Sequence, residues 1–275
     1  MTACRTDGVL LTASLPSYYL DAVYLPAGAL VGLDPTVGRI YQAPSFVPAS
    51  PAAAAAAAAL AAERGNYDLS YFTSAAPAPA PFLVLLAVDI NASVAITPSL
   101  TSPDLSPAAI AARGGGTILG YAVVPWSRGF AATAADCADG SPAASCATLF
   151  APGAPLDAYT GLPPFNYTHY FELWSLSPVY ANGWSLLGEV GKVIRVSTAR
   201  VPWTAPNGTA LIFALAGAPG EAVEIIVASP SSSFADPLGG VIRVVSTTLS
   251  ASGAATVRCD GIGTLASCAV TPNAL

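Results

Sequence analysis

The stretch Phe165 to Trp203, FNYTHYFELWSLSPVYANGWSLLGEVGKVIRVSTARVPW, is the longest uninterrupted run of patterned sequence in the chain, and its reading decides the fold. Tyr170, Glu172, Trp174 and Leu176 alternate with His169, Phe171, Leu173 and Ser175. Neither set is purely polar, which suits a strand covered on one side or both. Pro178 stops the alternation, Asn182-Gly183 supplies a tight turn with positive φ, and Trp184 to Gly188 resumes an extended run. The pattern predicts a β-hairpin bent over Val179 to Gly183. The β-branched run Val193 to Thr198, ending at Pro202-Trp203, predicts a third antiparallel strand. A two-residue turn at Asn182-Gly183 would set Glu172 opposite Val193 and Glu189 opposite Leu176.

Outward from this stretch the same period-two signal recurs. Gly8 to Ala13, Leu20 to Leu25 and Val37 to Gln42 read as strands, followed by a Pro-rich passage from Ala43 to Pro51. Eight consecutive alanines, Ala52 to Ala59, follow a proline and lead to Gly65, which describes a helix of about three turns. Such tracts also occur as low-complexity surface inserts, so no function attaches to it. A second Ala-Pro linker, Ala75 to Pro81, precedes Phe82 to Ile90 and Ala92 to Ile96, read as a strand pair bent at Asp89 to Asn91. Pro98 to Gly116 reads as loop with a short helix at Pro107 to Arg113, Thr117 to Val124 as strand, and Ala131 to Pro164 as a long excursion pinned by cysteines. Beyond Trp203, Ala210 to Leu215, Ala222 to Ala228, Val241 to Thr248, Ala255 to Cys259 and Ser267 to Val270 are evenly spaced strands divided by Gly- and Ser-rich turns. That spacing belongs to a sandwich. The expectation is an all-β chain of antiparallel β-sandwich type with short helical inserts. If it divides at all, the break falls near Val201 to Gly208, giving residues 1–203, carrying the Ala/Pro insert (43–81) and the disulfide-pinned loop (131–164), and a small antiparallel module at 204–275 packed on it.

Composition narrows the class. Only 9% of the 275 residues are charged, yet the apolar excess is largely alanine. The most apolar run, Phe82 to Val88, falls far short of the roughly 20 residues a spanning helix needs, so no membrane span is expected. Net charge is −6, and one lysine and nine scattered arginines form no basic stripe, which excludes a phosphate-tracking nucleic-acid surface. Four of the five cysteines form two local pairs of equal spacing, Cys137 with Cys146 and Cys259 with Cys268; Cys4 is the odd one. A zinc site would need closer cysteines or histidine, and the chain has one histidine. Disulfides fit better. Sequons at Asn91, Asn166 and Asn207 add to an oxidising, extracellular or secretory setting. Met1 to Gly8 lacks the basic start and apolar core of a signal peptide, so a piece from the downstream end of a longer secreted protein is expected.

The search for chemistry yields little. Gly183 to Gly188 departs from G-x-S-x-G by one extra residue, which leaves Ser185 a strand residue. His169 has no partnering Ser or Cys motif and reads as a strand-edge residue rather than a base. Asp136 and Asp139 beside Cys137 could bind calcium only with further oxygen ligands at set spacing, and otherwise are solvated loop charges. Glu172, Glu189, Glu221 and Glu224 offer carboxylates but no defined separation. Trp126, Trp174, Trp184 and Trp203 fit a sandwich core, with Trp126 and Trp203 as candidates for stacking on a sugar. No cofactor is implied.

Phe171-Glu172-Leu173-Trp174-Ser175-Leu176-Ser177-Pro178-Val179, followed by a Gly-bounded Leu-Leu-Gly segment, resembles the F-E-x-F/W-T/S-V-S-P-V strand near the C-terminus of the raffinose synthase and alkaline α-galactosidase group of glycoside hydrolases. Cys4 to Leu11 followed by Leu20-Asp21 is similar to the segment by which that group leaves its catalytic barrel. The resemblance covers Met1 to about Trp203. It implies an antiparallel sandwich packed on a (β/α)₈ barrel in the same polypeptide, with both catalytic aspartates upstream and none of the family's catalytic residues here. The expectation is therefore a non-catalytic sandwich of a secreted α-galactosidase-like enzyme, stabilising the barrel and bordering its carbohydrate site. A cell-surface or matrix glycoprotein module without enzymatic activity is the alternative, supported by the sequons, cysteine pairs and linkers.

Overall fold

A computed structural model describes residues 21–24, 39–64, 80–88, 95–96, 118–125, 135–150, 156–157, 171–192, 194–231 and 238–272. Every strand pairing among them is antiparallel, and two main sheets form, one of nine strands and one of four. The all-β sandwich class expected from the sequence is the class observed.

The strand Phe171–Tyr180 (β8 in chain order) is the trunk of the larger sheet. Its Leu176 pairs with Leu83 of β3 (Ala80–Val88) on one edge and with Val123 of β5 (Ile118–Pro125) on the other. Pairing with β3 runs from Phe171 to Leu176 and then stops. Beyond it β9 (Ser185–Glu189) takes over the same edge, with Val179 opposite Ser185. The sheet therefore forks. One arm continues from β3 through β2 (Arg39–Val47) to β1 (Asp21–Tyr24), the other from β9 through β12 (Ala222–Ala228) to β13 (Ile242–Thr248). The short β6 (Thr148–Phe150) pairs with β5.

Pro178 sits at the fork for a backbone reason. Tyr180 donates its N–H to Trp184 O at 2.9 Å, and residues two apart on a strand point their backbone groups to the same edge. The donor that Pro178 lacks would thus face the gap where neither β3 nor β9 pairs with it. Far from ending the strand, as the sequence suggested, Pro178 lies within it opposite Tyr121. The other prolines follow suit. Pro44 and Pro81, expected in linkers, belong to β2 and β3, at levels where β1 and β8 no longer pair with them.

The smaller sheet has the order β10 (Thr204–Asn207), β11 (Ala210–Ala216), β14 (Ala254–Asp260), β15 (Ser267–Pro272). Alternate residues Leu211, Phe213 and Leu215 of β11, opposite Cys259, Val257 and Ala255 of β14, meet Trp184, Leu186, Val223, Ile225 and Val227 of the larger sheet in one buried cluster. The opposite face of the larger sheet buries Val124, Val179, Leu187, Ile226 and Ile242 under Cys137, Ala143, Cys146 and Ala147. The disulfide-pinned excursion is thus a cover over that face, built on a 3-10 turn (Ala135–Cys137) and a single helical turn, Ala143–Cys146. The alanine tract is helical as expected, over Pro51–Arg64, with Ser50 Oγ accepting the Ala53 N–H at 3.1 Å to cap its start.

Several expectations change. Val193 to Thr198 forms no strand among its described residues: β8 pairs with β9 only at Val179 and Ser185, and where the segment meets the open edge, through Glu189 N–H to Arg195 O at 2.8 Å, Gly188 with φ 100° breaks the regular extension of β9. Instead β10 forms within Val201 to Gly208, where a break was expected. The hairpin loop has three residues, Ala181 to Gly183: Gly183 donates to Tyr180 O at 2.8 Å with φ 78°, and the register shifts by one from a two-residue turn. Glu172 lies beyond the single β8–β9 pair and faces Ala87 of β3, and Glu189 faces Ile225 of β12. Further, Ala95–Ile96 (β4) pairs with Leu156–Asp157 (β7), not with β3. The backbone ladder also runs straight across position 203, since β12 pairs with β9.

Candidate functional site

The fork is where the described part of the chain concentrates unusual chemistry. Gly188 ends the useful length of β9 with φ 100°, and a Cβ there would stand 2.5 Å from the carbonyl oxygen of Arg195. Only glycine lets the segment after β9 lie this close. Glu189 N–H then donates to Arg195 O at 2.8 Å and Val190 N–H to Glu224 O at 2.9 Å, which fixes the backbone of Arg195 against the sheet. Arg195 lies among the residues around a small cavity of about 10 Å³, with Ser45, Leu83, Ser175, Ser177 and Val196. Arg195 is 3% exposed, and none of its three guanidinium nitrogens has a hydrogen-bond partner. Burial pulls its pKa down to about 10, so the group remains a cation at neutral pH.

Buried hydroxyls lie on the trunk and its neighbours. Tyr121 and Tyr180 share one face of β5 and β8, and no hydrogen bond reaches either oxygen. Burial pushes both phenols far above their usual range, and Tyr180 adds to the shift of Tyr121. Both stay neutral. The hydroxyls of Ser185 and Thr204 are likewise buried without a partner.

A second polar centre closes the same segment. Arg200 Nε donates to Glu189 Oε2 at 2.8 Å, Nη1 to Glu221 Oε2 at 3.2 Å and to Ala216 O at 2.8 Å, and Nη2 pairs with Glu221 Oε1. Burial lowers the Arg200 pKa, but its bonds to Glu221 and Glu189 outweigh this and hold it above the ordinary value. Its bond to Glu221 in turn holds that carboxylate below the usual range, aided by the Ala218 N–H. Gly217 permits the approach, since a Cβ there would lie 2.2 Å from Arg200 Nη1. This cluster joins the ends of β9, β11 and β12, with Glu189 buried and Glu221 partly exposed to solvent.

The residues singled out in the sequence fall in several places. Cys137–Cys146 and Cys259–Cys268 both form disulfides, with Cα separations of 4.7 and 4.0 Å. The first lies in the cover and the second cross-links β14 to β15 directly opposite one another. Asn207 is exposed at the β10–β11 turn, where a glycan would meet no obstruction from the core. Trp203 is half-buried, and its carbonyl accepts the Ala214 N–H at 3.1 Å. Trp174 and Trp184 are core residues, with Trp184 Nε1 donating to Thr209 O at 2.8 Å. Asn91, Asn166, Trp126, Cys4 and His169 lie outside the described residues.

Among the described residues, Glu189, Glu221, Asp139, Glu224 and Asp260 are each engaged in a contact with a cation, a backbone N–H or a hydroxyl. Asp139 Oδ1 accepts the Val244 N–H at 3.0 Å and Oδ2 lies 3.6 Å from Arg243, tying the cover to β13. Glu224 accepts from Ser246 at 3.1 Å, and Asp260 accepts from Gly261, Thr209 and Arg258. No group of three His, Cys, Asp or Glu suited to a metal occurs among the described residues, and no helix among them is long and apolar enough to cross a membrane. A shallow polar hollow of about 500 Å³ runs along Ala222 to Glu224 and Ser246 to Thr248 on β12 and β13. Sequence reasoning passed over Arg195 and Arg200. The available signal was a lone cation inside the β-branched run Val193 to Thr198. No protein-family model, curated protein or solved structure matches this chain.

Proposed function

We propose that this chain serves as a non-catalytic, disulfide-stapled β-sandwich module of an extracellular protein. The observation that carries the reading is the placement of the two disulfides, one in the cover and one in the four-stranded sheet, so that each layer outside the larger sheet has its own staple. Bonds of this kind persist in oxidising compartments. The engagement of Glu189, Glu221, Asp139 and Glu224 in structural contacts supports the same reading. Retaining or inverting glycoside hydrolysis would need two carboxyl groups free to face a substrate.

Within that reading, the sandwich of a raffinose-synthase or α-galactosidase-like enzyme, packed on a barrel and bordering its carbohydrate with Trp203, is favoured by one feature. The segment Phe171 to Val179 that carries the resemblance is the trunk on which both arms of the larger sheet depend. The test is an assay of the purified, oxidised chain against aryl α-galactosides, with a Glu172→Gln, Glu189→Gln double variant beside it. No turnover in either is expected. Turnover lost in the double variant would overturn the non-catalytic reading.

A further inference from the structure

We propose that Asn207 is a self-modifying site, at which the backbone nitrogen of Gly208 closes on the side-chain amide and converts the asparagine to aspartate and isoaspartate. The argument begins with two copies of one dipeptide. Asn-Gly occurs twice in the chain, at Asn182-Gly183 and Asn207-Gly208, and in both the glycine sits at positive φ, 78° and 58°. Their surroundings are opposite. Asn182 Nδ2 donates to Gly208 O at 3.1 Å and to Ala210 O at 2.9 Å, its Oδ1 accepts the Trp184 N–H at 3.4 Å, and the Gly183 N–H is taken by Tyr180 O at 2.8 Å. The amide that would be attacked and the nitrogen that would attack it are thus both held elsewhere. Asn207 and Gly208 are exposed, and neither the Asn207 side-chain amide nor the Gly208 N–H makes a hydrogen bond among the described residues.

The chemistry balances within the chain and one water molecule. The Gly208 nitrogen gives up its proton and bonds to Asn207 Cγ, while the Cγ–Nδ2 bond breaks and Nδ2 leaves as ammonia. Water then opens the resulting five-membered imide: at Cγ it yields aspartate, at the main-chain carbonyl carbon it yields isoaspartate. Glycine suits the attacking position because it has no side chain to obstruct the approach, and the space around Gly208 is open, since an added Cβ would meet nothing within 4 Å. Asn207 is also the last residue of β10, paired with Ala210 at the end of the ladder, so a local opening of one terminal pair frees it to react. At Asn182 the same approach must break both Nδ2 bonds and the Gly183 backbone bond, which suppresses it by about a hundredfold. Conversion also expels the Nδ2 that the Asn207-Gly208-Thr209 sequon would offer to a glycan, so a chain that has reacted here can no longer accept one at this position.

The experiment incubates the full, oxidised chain in mildly alkaline buffer made with heavy-oxygen water and follows both Asn-Gly peptides by mass spectrometry, with enzymatic methylation of isoaspartate as a second readout. Asn207 should convert at least about tenfold faster than Asn182, and isoaspartate should appear at 207 beside aspartate. In denaturant, with the disulfides intact, the two sites should convert at similar rates, which assigns the difference to the fold and not to the flanking residues. Gly208→Ala should bring conversion at 207 down toward that of Asn182 and leave Asn182 as it was. Equal rates at the two sites in the folded chain overturn the proposal, as does reaction of both in denaturant with neither reacting in the fold. So does aspartate at 207 without isoaspartate, because direct hydrolysis of the amide, with no imide between, gives aspartate alone.

Discussion

Gly188 and Arg200 act on the same segment in opposite ways, one by taking up no space and the other by filling it with bonds. Replacing Gly188 by alanine forces a Cβ to 2.5 Å from the Arg195 carbonyl at a φ of 100°. Gly188→Ala should therefore lower stability by about 3 kcal/mol, from clash and strain together. Gly208 has φ 58° and nothing within 4 Å of an added Cβ, so Gly208→Ala should cost only about 1 kcal/mol. Urea unfolding of the two variants separates steric from conformational cost. Arg200→Met removes the partner of Glu189, whose side chain is 9% exposed, and should cost about 3 kcal/mol at pH 7. The cost depends on pH through Glu221, whose folded-state pKa is depressed by Arg200 below 4.5. A depressed carboxylate contributes its stability in full above its unfolded value and loses it as pH falls through the folded one. The gap between wild type and Arg200→Met should thus narrow below about pH 4.5. A gap constant from pH 7 to pH 3 would remove Glu221 from the account.

At the scale of elements, the two disulfides close loops of the same length, with partners nine positions apart, yet they hold different things. Chain-entropy arguments give each about 2–3 kcal/mol. Cys259–Cys268 sits between strands already paired from Ala255 to Asp260, with Cys259 in the core between the sheets. A Cys259→Ser, Cys268→Ser variant should show that loss as a lower global unfolding midpoint. In the cover, Asp139, the backbone bonds of Gly140, Ser141 and Ala143 to Ile242 and Gly240, and the pairing of β6 with β5 are among the ties that remain. A Cys137→Ser, Cys146→Ser variant should become susceptible to proteolytic nicking within 135–150 before the sandwich melts, whereas equal protection of that segment would show that the bond adds nothing to the cover. The elements themselves were mostly legible in the sequence: the late strands from turn spacing, the helix from alanine, the cysteine pairs from separation. The hairpin register was not. Asn-Gly serves a two-residue turn and equally a three-residue loop that ends in a left-handed glycine. The choice is made elsewhere, by Asn182 Nδ2 donating to Gly208 O and Ala210 O and by Trp184 Nε1 donating to Thr209 O. Likewise Val193 to Thr198 has strand propensity but meets β9 beside Gly188 at φ 100°, where the strand is not regularly extended, a fact of backbone geometry that local pattern does not carry.

For the whole molecule, the decisive feature is that the chain returns to a sheet it has already left. After β9 it crosses to begin the small sheet with β10 and β11, comes back as β12 and β13, and leaves again for β14 and β15. A boundary at 203 looked natural because Pro202-Trp203 closes a patterned stretch and regular strands resume after it. The contacts do not respect it. Of the twenty described buried residues in the cluster between the sheets, twelve come after position 203, and among the described residues Ile225 to Ala228 pair with the outer edge of β9. A polypeptide ending at 203 would leave Trp184 and Leu186 facing water and one edge of β9 unpaired, a state with much apolar surface and little to offset chain entropy. We therefore expect the full chain to lose near- and far-ultraviolet dichroism in one coincident transition covering both sheets. A fragment of residues 1–203 should melt without cooperativity and bind a hydrophobic dye at room temperature. A sharp melt of that fragment, or two resolved transitions in the full chain, would show instead that the ladder between β9 and β12 is a contact between independent units, and that the division suggested by the sequence is the physical one.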